Sequence, residues 1–422
     1  MKTIANYLRK MSTLALMVLM LSPAFGQNGN GFITLSGTLK DAKTNNNLYF
    51  AYVTVPGTHI GTVSNSEGEF TLKINRSIDA KEVEFSHLGY KSKRIALNEL
   101  LNGAVEVKLE PASVALSEVT IRPEDPLTIV KEALRKVQFN YSDKPNMLTG
   151  FYRETIKQRR DYISISEAVV DIYKASYKPM GGGDRVKLYK GRKSANVKKA
   201  DTLAVKLQGG PSVSLLLDVA KNADVIFFED FEDYYEFRID DVVTIDDKIS
   251  YVISFAQKEN IDFPLYYGRL FIDTRNLAIT HAHFSLNLDN EEEAAKLFIL
   301  RKPRGVKFTP TSTSYYVTYT ENDGKYYLNY MRNELTFKAN WRRRIFNTNY
   351  AVVAEMAITD RDLENTERFA LRETFRQRDV LAEAVEAFND DDFWGEHNYI
   401  KPEESIEDAI RRYGRRLMRQ QK

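Results

Sequence analysis

The sequence predicts a mainly β protein with α pieces: a small antiparallel β-sandwich, a large curved antiparallel sheet with helices, and a helical C-terminal tail. Three observations carry this. Apolar and polar residues alternate with period two over residues 31–110, between turns rich in Gly, Asn and Pro-Gly. The same alternation returns over residues 148–360. The 24 Tyr and 23 Phe residues suit pleated, half-buried surfaces. At 422 residues, 43% hydrophobic and 28% charged, the chain is long enough for two or three such units.

Residues 1–26, MKTIANYLRKMSTLALMVLMLSPAFG, stand apart from the fold. Lys2, Arg9 and Lys10 precede an apolar run from Leu14 to Leu21, and Ala24 and Gly26 sit where a signal peptidase accepts small residues. The run is well short of the ~20 residues that a spanning helix needs. It reads as a cleaved export signal, which makes the protein periplasmic or outer-membrane associated. No cysteine follows, so a lipidated start is excluded, and no later stretch is apolar enough for a helical span. Cleavage removes three of the 60 basic residues and no acidic one, leaving 57 basic against 58 acidic. A balance near zero supplies no field to gather nucleic acid. With no cysteine at all, disulfides, thiolate nucleophiles and thiolate metal sites are excluded as well.

Short strands such as FITLSGTL, YFAYVTV, EFTLKI, KEVEFSHL and AVEVKLE fill residues 31–110. The stretch TVPGTHIGTVSNSEGEF (54–70) invites the question whether it is a catalytic loop, and turn chemistry answers it. Pro56-Gly57 suits a type II turn, because glycine takes positive φ without a Cβ clash. Gly61 and Gly68 are the further turn glycines, with Asn65 and Glu67 as turn residues rather than catalytic ones.

These residues also carry a resemblance. Gly37, Asp41, Val53, Val55, Gly57, Thr58, Gly61, Thr62, Gly68, Phe70, Phe85, Gly89 and Tyr90 follow G-x-x-x-D, then V-x-V-x-G-T-x-x-G-T and G-x-F, then F and G-Y. The pattern resembles the carboxypeptidase-regulatory-like domain of exported Bacteroidetes proteins, a transthyretin-like (prealbumin-like) sandwich. LSEVTIRP (116–123) resembles the exit from that module. The resemblance covers about a fifth of the chain. It implies a non-catalytic accessory module and no peptidase. No receptor plug or long barrel follows, so the receptor architecture is excluded.

Residues 111–147 form the seam. Pro126 opens a helix whose Ile129, Val130, Ala133, Leu134 and Val137 share one face. The large β domain spans 148–360. GFYRETIKQRRDYISISEAVVDIYKASY gives two strands about a turn at 157–161; YEFRIDDVVTIDDKISYVISFAQ gives a meander. YYGRLFIDTRNLAITHAHFSL turns at 273–276, and SYYVTYTENDGKYYLNYMRNELTF turns at Asn322-Asp323-Gly324. The order strand, turn, D-T-x-x-L-A-I, strand loosely resembles the half-barrel of periplasmic lipoprotein carriers, a likeness of fold alone. Residues 178–211, with three consecutive glycines and a basic run, read as a long excursion from the sheet, followed by a short helix in SVSLLLDVAKNADVIFF. The tail, 361–422, is expected to be helical over VLAEAVEAF and over the basic amphipathic PEESIEDAIRRYGRRLMRQQK.

Candidate chemistry is sparse. GGGDRVK lacks the spacing of a phosphate loop. His281 and His283, two apart on one strand, project to one face and would hold a metal only with a third ligand. Half-exposed sheet histidines are the plainer reading. Acidic clusters at 229–233, at 240–247 and at 289–293 do not follow the calcium-loop pattern, though a single stabilising calcium stays open. No G-x-S-x-G occurs, and no Ser–His pairing is legible. No cofactor is called for. Tyr315, Tyr319, Tyr326 and Tyr330, on one hairpin, would serve either sheet packing or a contact surface. Trp341, Arg342, Arg343 and Arg344 add an aromatic and a basic cluster. The reading is a non-catalytic exported accessory or binding protein that recognises an envelope protein, peptide or glycan, with the basic tail as a route to peripheral contact with the outer membrane. The alternative is a hydrolase of envelope or nutrient polymers with the first domain as accessory module.

Overall fold

The structure is a computed structural model that describes residues 31–112, 125–195, 206–207, 210–245, 248–259, 261–301, 305–341, 347–387, 393–403 and 406. The export signal, the 116–123 exit, Arg342–Arg344 and the basic tail from 407 on lie outside the described residues.

The N-terminal unit is a sandwich. One sheet runs in the order β4 (Glu69–Asn75), β1 (Phe32–Asp41), β7 (Val105–Leu109), and the other β3 (Gly61–Val63), β2 (Tyr52–Thr54), β5 (Glu82–Ser86), β6 (Lys93–Ala96). One pairing, β1 with β7, is parallel; the others are antiparallel. Leu35, Leu39, Val53, Phe70, Leu72, Phe85 and Val107 close its core. Val55 and Thr58 close the Pro56-Gly57 turn through a 3.1 Å bond, with Gly57 at φ 75°. Gly68 sits at φ 73° where a Cβ would lie 2.8 Å from the Leu39 carbonyl, and Gly61 passes equally close to Thr54.

Helix α1 (Pro126–Asn140) follows, capped by Asp125, whose carboxylate accepts from the Thr128 N–H at 3.0 Å. Then comes the large sheet, built from β8 (Asn146–Gln158), β9 (Asp161–Lys174), β10 (Arg185–Ala195), β12 (Tyr235–Ile245), β13 (Lys248–Gln257), β14 (Tyr266–Asp273), β15 (Ile279–Leu286), β17 (Val306–Asn322), β18 (Lys325–Trp341), β19 (Thr348–Asp362) and the short β20 (Glu386–Ala387). Their spatial order is β12-β13-β14-β15-β17-β18-β19-β8-β9-β10-β20, antiparallel except where β20 runs parallel to β10. Smaller pieces include β11 (Lys206–Leu207), helix α2 (Pro211–Ser214), helix α3 (Glu291–Phe298), β16 (Ile299–Arg301) and helix α4 (Leu381–Ala384).

The sheet is strongly curved. Tyr141, at the end of α1, donates to the Ile279 carbonyl in β15 at 2.5 Å and stacks on Tyr177, just past β9, at 5.0 Å. Five ladder steps separate those strands, about 24 Å if the sheet were flat. One tyrosine spans them only because the sheet wraps around it. The buried Ile129, Val130, Ala133 and Val137 of α1 fill the concave side with Tyr152, Ile172, Leu270, Ile279, Val317 and Met356.

Two elements depart from the sequence reading. The excursion expected at 178–211 contains β10, because Val186 and Leu188 alternate with charged residues and pair with Ile172 and Val170. A bulge between Leu188 and Lys190 hides that period. In the described part of the tail, Leu371–Glu373 form a 3-10 turn, Leu381–Ala384 form one helical turn of VLAEAVEAF, and Ile406 of the expected second helix is helical. Residues 386–387 instead add to the edge of the sheet.

Candidate functional site

Successive residues of a strand point to opposite faces, so each face of the large sheet has its own chemistry. On the convex face the sandwich and residues 393–403 are docked. Phe151, Val169 and Tyr330 of the sheet, Tyr52 and Val63 of the sandwich, and Trp394 and Ile400 share one apolar cluster. Asn398 accepts from the Lys73 N–H at 2.7 Å and donates to the Lys73 carbonyl at 2.9 Å. His59, in the 54–70 loop, meets Asn322 at the β17–β18 turn at 2.9 Å. That loop is a docking contact.

Beneath this interface lies a buried charge network. Glu167 binds Arg153 and Arg192, each at 2.8 Å, and Arg153 also reaches Glu355 at 3.3 Å and the Ile400 carbonyl at 2.6 Å. Burial pushes the Glu167 carboxyl up, but the two guanidinium charges outweigh it and hold the group below its usual range. A second network closes the concave side: Lys174 binds Asp184 and Asp218 at 2.6 Å each, and Tyr177 and Tyr319 both donate to Asp218 at 2.7 Å.

The four hairpin tyrosines are thereby accounted for, and none offers an open contact surface. Tyr319 is tied to Asp218, Tyr326 donates to Asp273 at 3.1 Å and Tyr330 to Glu355 at 3.0 Å, while Tyr315 stacks on Phe284 at 5.1 Å. All four are buried, because the sheet is covered at their positions. Trp341 ends β18.

His281 and His283 do share a face, each with its ring near Tyr316. His281 is fully buried, its two ring nitrogens have no hydrogen-bond partner, and burial followed by the nearby His87 pushes it down to about 3. Among the described residues no three His, Asp or Glu side chains converge as a metal site. The acidic run at 289–293 rims a surface cleft with Asp262 and Phe263, and Asn290 caps α3. A Ser–His contact that the sequence did not disclose exists: His283 Nε2 lies 3.2 Å from Ser314 Oγ. Both stand on paired strands, His283 opposite Tyr316 on β17 and Ser314 opposite Glu334 on β18. Glu334 beside them is held by Arg332 at 2.7 Å.

The feature that stands out on the concave face is a row of half-open residues between closed ones. Ladder register aligns Asn333, Ala354, Glu154 and Ser166 on β18, β19, β8 and β9, and next to them Leu335, Val352, Ile156 and Ser164. Asn333, Glu154, Leu335, Val352 and Ile156 are half-buried. The rows on either side, Met331–Met356–Tyr152 and Phe337–Tyr350, are buried. Residues 210–214 stand against the first, where the Gly210 backbone meets Tyr152 and Glu154. Ala295 and Phe298 of α3 pack against the second. The segments leading from these two walls pair with each other, Lys206 with Arg301 and Leu207 with Ile299. Glu154 keeps part of its surface accessible. Burial pushes its carboxyl up, offset in part by the Tyr152 hydroxyl and the Gly210 N–H. The sequence carried no signal for this row, since a Glu beside an Arg in RETIKQ looks like any solvated strand.

Comparison with known proteins identifies the N-terminal sandwich: residues 35–121 match the CarboxypepD_reg-like domain family. No curated protein matches the chain. Among solved structures, the complex of MucA and MucB from Pseudomonas aeruginosa aligns at 10% identity over 55% of this chain and 93% of that chain, with a TM-score of 0.20. A DUF1329 family protein from Desulfovibrio piger aligns at 12% identity over 56% of this chain and 94% of that chain, with a TM-score of 0.23. Lipovitellin aligns at 8% identity over 60% of this chain and 28% of that chain, with a TM-score of 0.26. Scores this low carry no argument. No helix among the described residues is long and apolar enough to cross a membrane.

Proposed function

We propose that this is a non-catalytic binding protein of the cell envelope whose concave sheet face receives the apolar part of its ligand. The sandwich is then an accessory module that braces the sheet from the convex side. The observation that carries the reading is the half-open row Leu335–Val352–Ile156 between two buried rows. An apolar floor with a few convergent polar groups at its edge is the usual make-up of a small-ligand site. Export rests on the N-terminal segment, with its basic start, short apolar run and small residues.

The test is the binding of N-phenyl-1-naphthylamine, a neutral apolar fluorophore, to the full chain and to Val352→Trp. The larger ring fills the row from a position that already reaches open space. Saturable binding by the parent, weakened about tenfold or more (~1.4 kcal/mol) in the variant at an unchanged unfolding midpoint, is expected. Failure of the parent to bind, or equal binding by both, overturns the reading.

A further inference from the structure

We propose that mild acid releases the N-terminal sandwich and the 393–403 segment from the convex face while the sheet stays folded, with His281 and His87 as the sensing pair.

The first observation is where histidine occurs. The chain has five, and four of them stand where two parts of the molecule meet. His59 and His87 belong to the sandwich, and His281 to β15 beneath it. His397 belongs to the 393–403 segment, its ring 5.1 Å from Tyr189 of β10. The fifth, His283, is exposed beside Ser314. None is left for the concave core, so a mild fall in pH acts on the seam before it acts on that core.

His281 is the sharpest case. It is 1% exposed, between Phe271 at 5.9 Å and Tyr316 at 6.3 Å, and neither ring nitrogen has a hydrogen-bond partner. An imidazolium carries two N–H donors, and both would be stranded there. His87 opposes it from the sandwich, so a charge on each would repel the other. The His87 Nε2 lies 3.2 Å from the Tyr49 carbonyl oxygen, Nδ1 is buried without a partner, and the ring meets Tyr90 at 5.1 Å. Leu88, next in the chain, packs against Ile245, Val252 and Phe271 of the sheet. The pair therefore sits at a contact that undocking opens.

The other two have charged company. Asp360, Asp323 and Asp362 favour a proton on His59 and Arg361 opposes it; Glu396 and Asp171 favour one on His397, and Lys190 and Lys73 oppose it. Burial decides in every case, holding all four below 6.5 while the seam is closed. Opened to water, the rings return toward that ordinary value and take up protons below it, so falling pH favours the open form. His281 alone, at about 3 when closed, raises the open-to-closed ratio about tenfold between pH 7.5 and 5.5. Glu167, the buried carboxylate under the seam, is held below its usual range and stays ionised in this window.

The test follows seam and strands separately in urea titrations of the full chain carrying Trp341→Phe, at pH 7.5 and 5.5. Trp394, buried edge-on to Phe151 at 5.2 Å, then reports the seam by its emission, and far-UV circular dichroism reports the strands. The expected result is a seam midpoint that falls further than the strand midpoint on going to pH 5.5. Adding His281→Leu should narrow that gap, and adding His283→Gln should leave it as it was. Midpoints that fall together would assign the acid effect to the whole fold and overturn the proposal. Midpoints that do not move, or a gap unchanged by His281→Leu, would overturn it as well. The comparison between the two pH values needs no histidine variant, so it decides even if His281→Leu fails to fold.

Discussion

Arg153 Nε lies 2.8 Å from Glu167 Oε1, and each side chain is 2% exposed. Arg153 also donates to the Ile400 carbonyl, so this pair fixes the 393–403 segment to the sheet from within. Removing one partner of a buried pair strands the other charge, at about 3–5 kcal/mol. Glu167→Ala should lose that much stability by urea unfolding, and chain cleavage within 393–403 by a protease should quicken. A loss below about 1 kcal/mol, the range of a surface pair, would show that the arginines find other partners.

His281 makes the fold acid-sensitive in a defined window. Its imidazole is pushed down from 6.5 to about 3 by burial. Below pH 6.5 the unfolded chain takes up a proton that the native state refuses until near pH 3. Stability therefore falls as pH drops through this range, by at most about 1.4 kcal/mol per unit from this group. Urea unfolding between pH 4.5 and 7.5 should show a shallower slope for His281→Leu than for the parent. His59, His87, His283 and His397, also pushed down by burial, keep part of the slope. Equal slopes would refute the assignment.

Two glycines with nearly the same φ should respond differently to alanine. Gly57, at φ 75°, has open space where a Cβ would go, so Gly57→Ala costs about 1–2 kcal/mol of backbone strain alone. At Gly68 the Cβ would also lie 2.8 Å from the Leu39 carbonyl and 3.0 Å from Asn47 Cβ. Gly68→Ala should be the worse of the two by thermal unfolding, and the reverse order would contradict the packing described here.

Asn398 uses its amide as a strand edge uses its backbone, accepting from and donating to Lys73. Asn398→Ala removes both of its hydrogen bonds to the Lys73 backbone and should cost about 1–3 kcal/mol. Asn398→Asp keeps the acceptor but turns an anion toward a carbonyl, so it should be no milder. Chemical denaturation of the two variants side by side checks this.

Much of the strand content was legible because period two is a local property. The turns at 159–160, at 274–278 and at 323–324 fall where charged, Asn and Gly residues interrupt the alternation. The face on which a side chain ends was not legible in the central hairpin, where Tyr315, Tyr319, Tyr326 and Tyr330 supply aromatics to both sides. Arg153 and Glu154 make the same point. As neighbours in sequence they look alike, yet one is locked under Ile400, the other set in the concave row, by strands some 200 residues away.

The sequence by itself determined an N-terminal regulatory-like sandwich, a helix with one apolar face, and a long run of antiparallel strands, since turn chemistry and side-chain period act over a few residues. Only the tertiary structure decided that the sandwich and residues 393–403 cover the convex face, and that Glu154, Asn333 and Ser166 share one rung. Those placements depend on ladder register and sheet curvature, which arise when strands distant in sequence pair and twist around a common core.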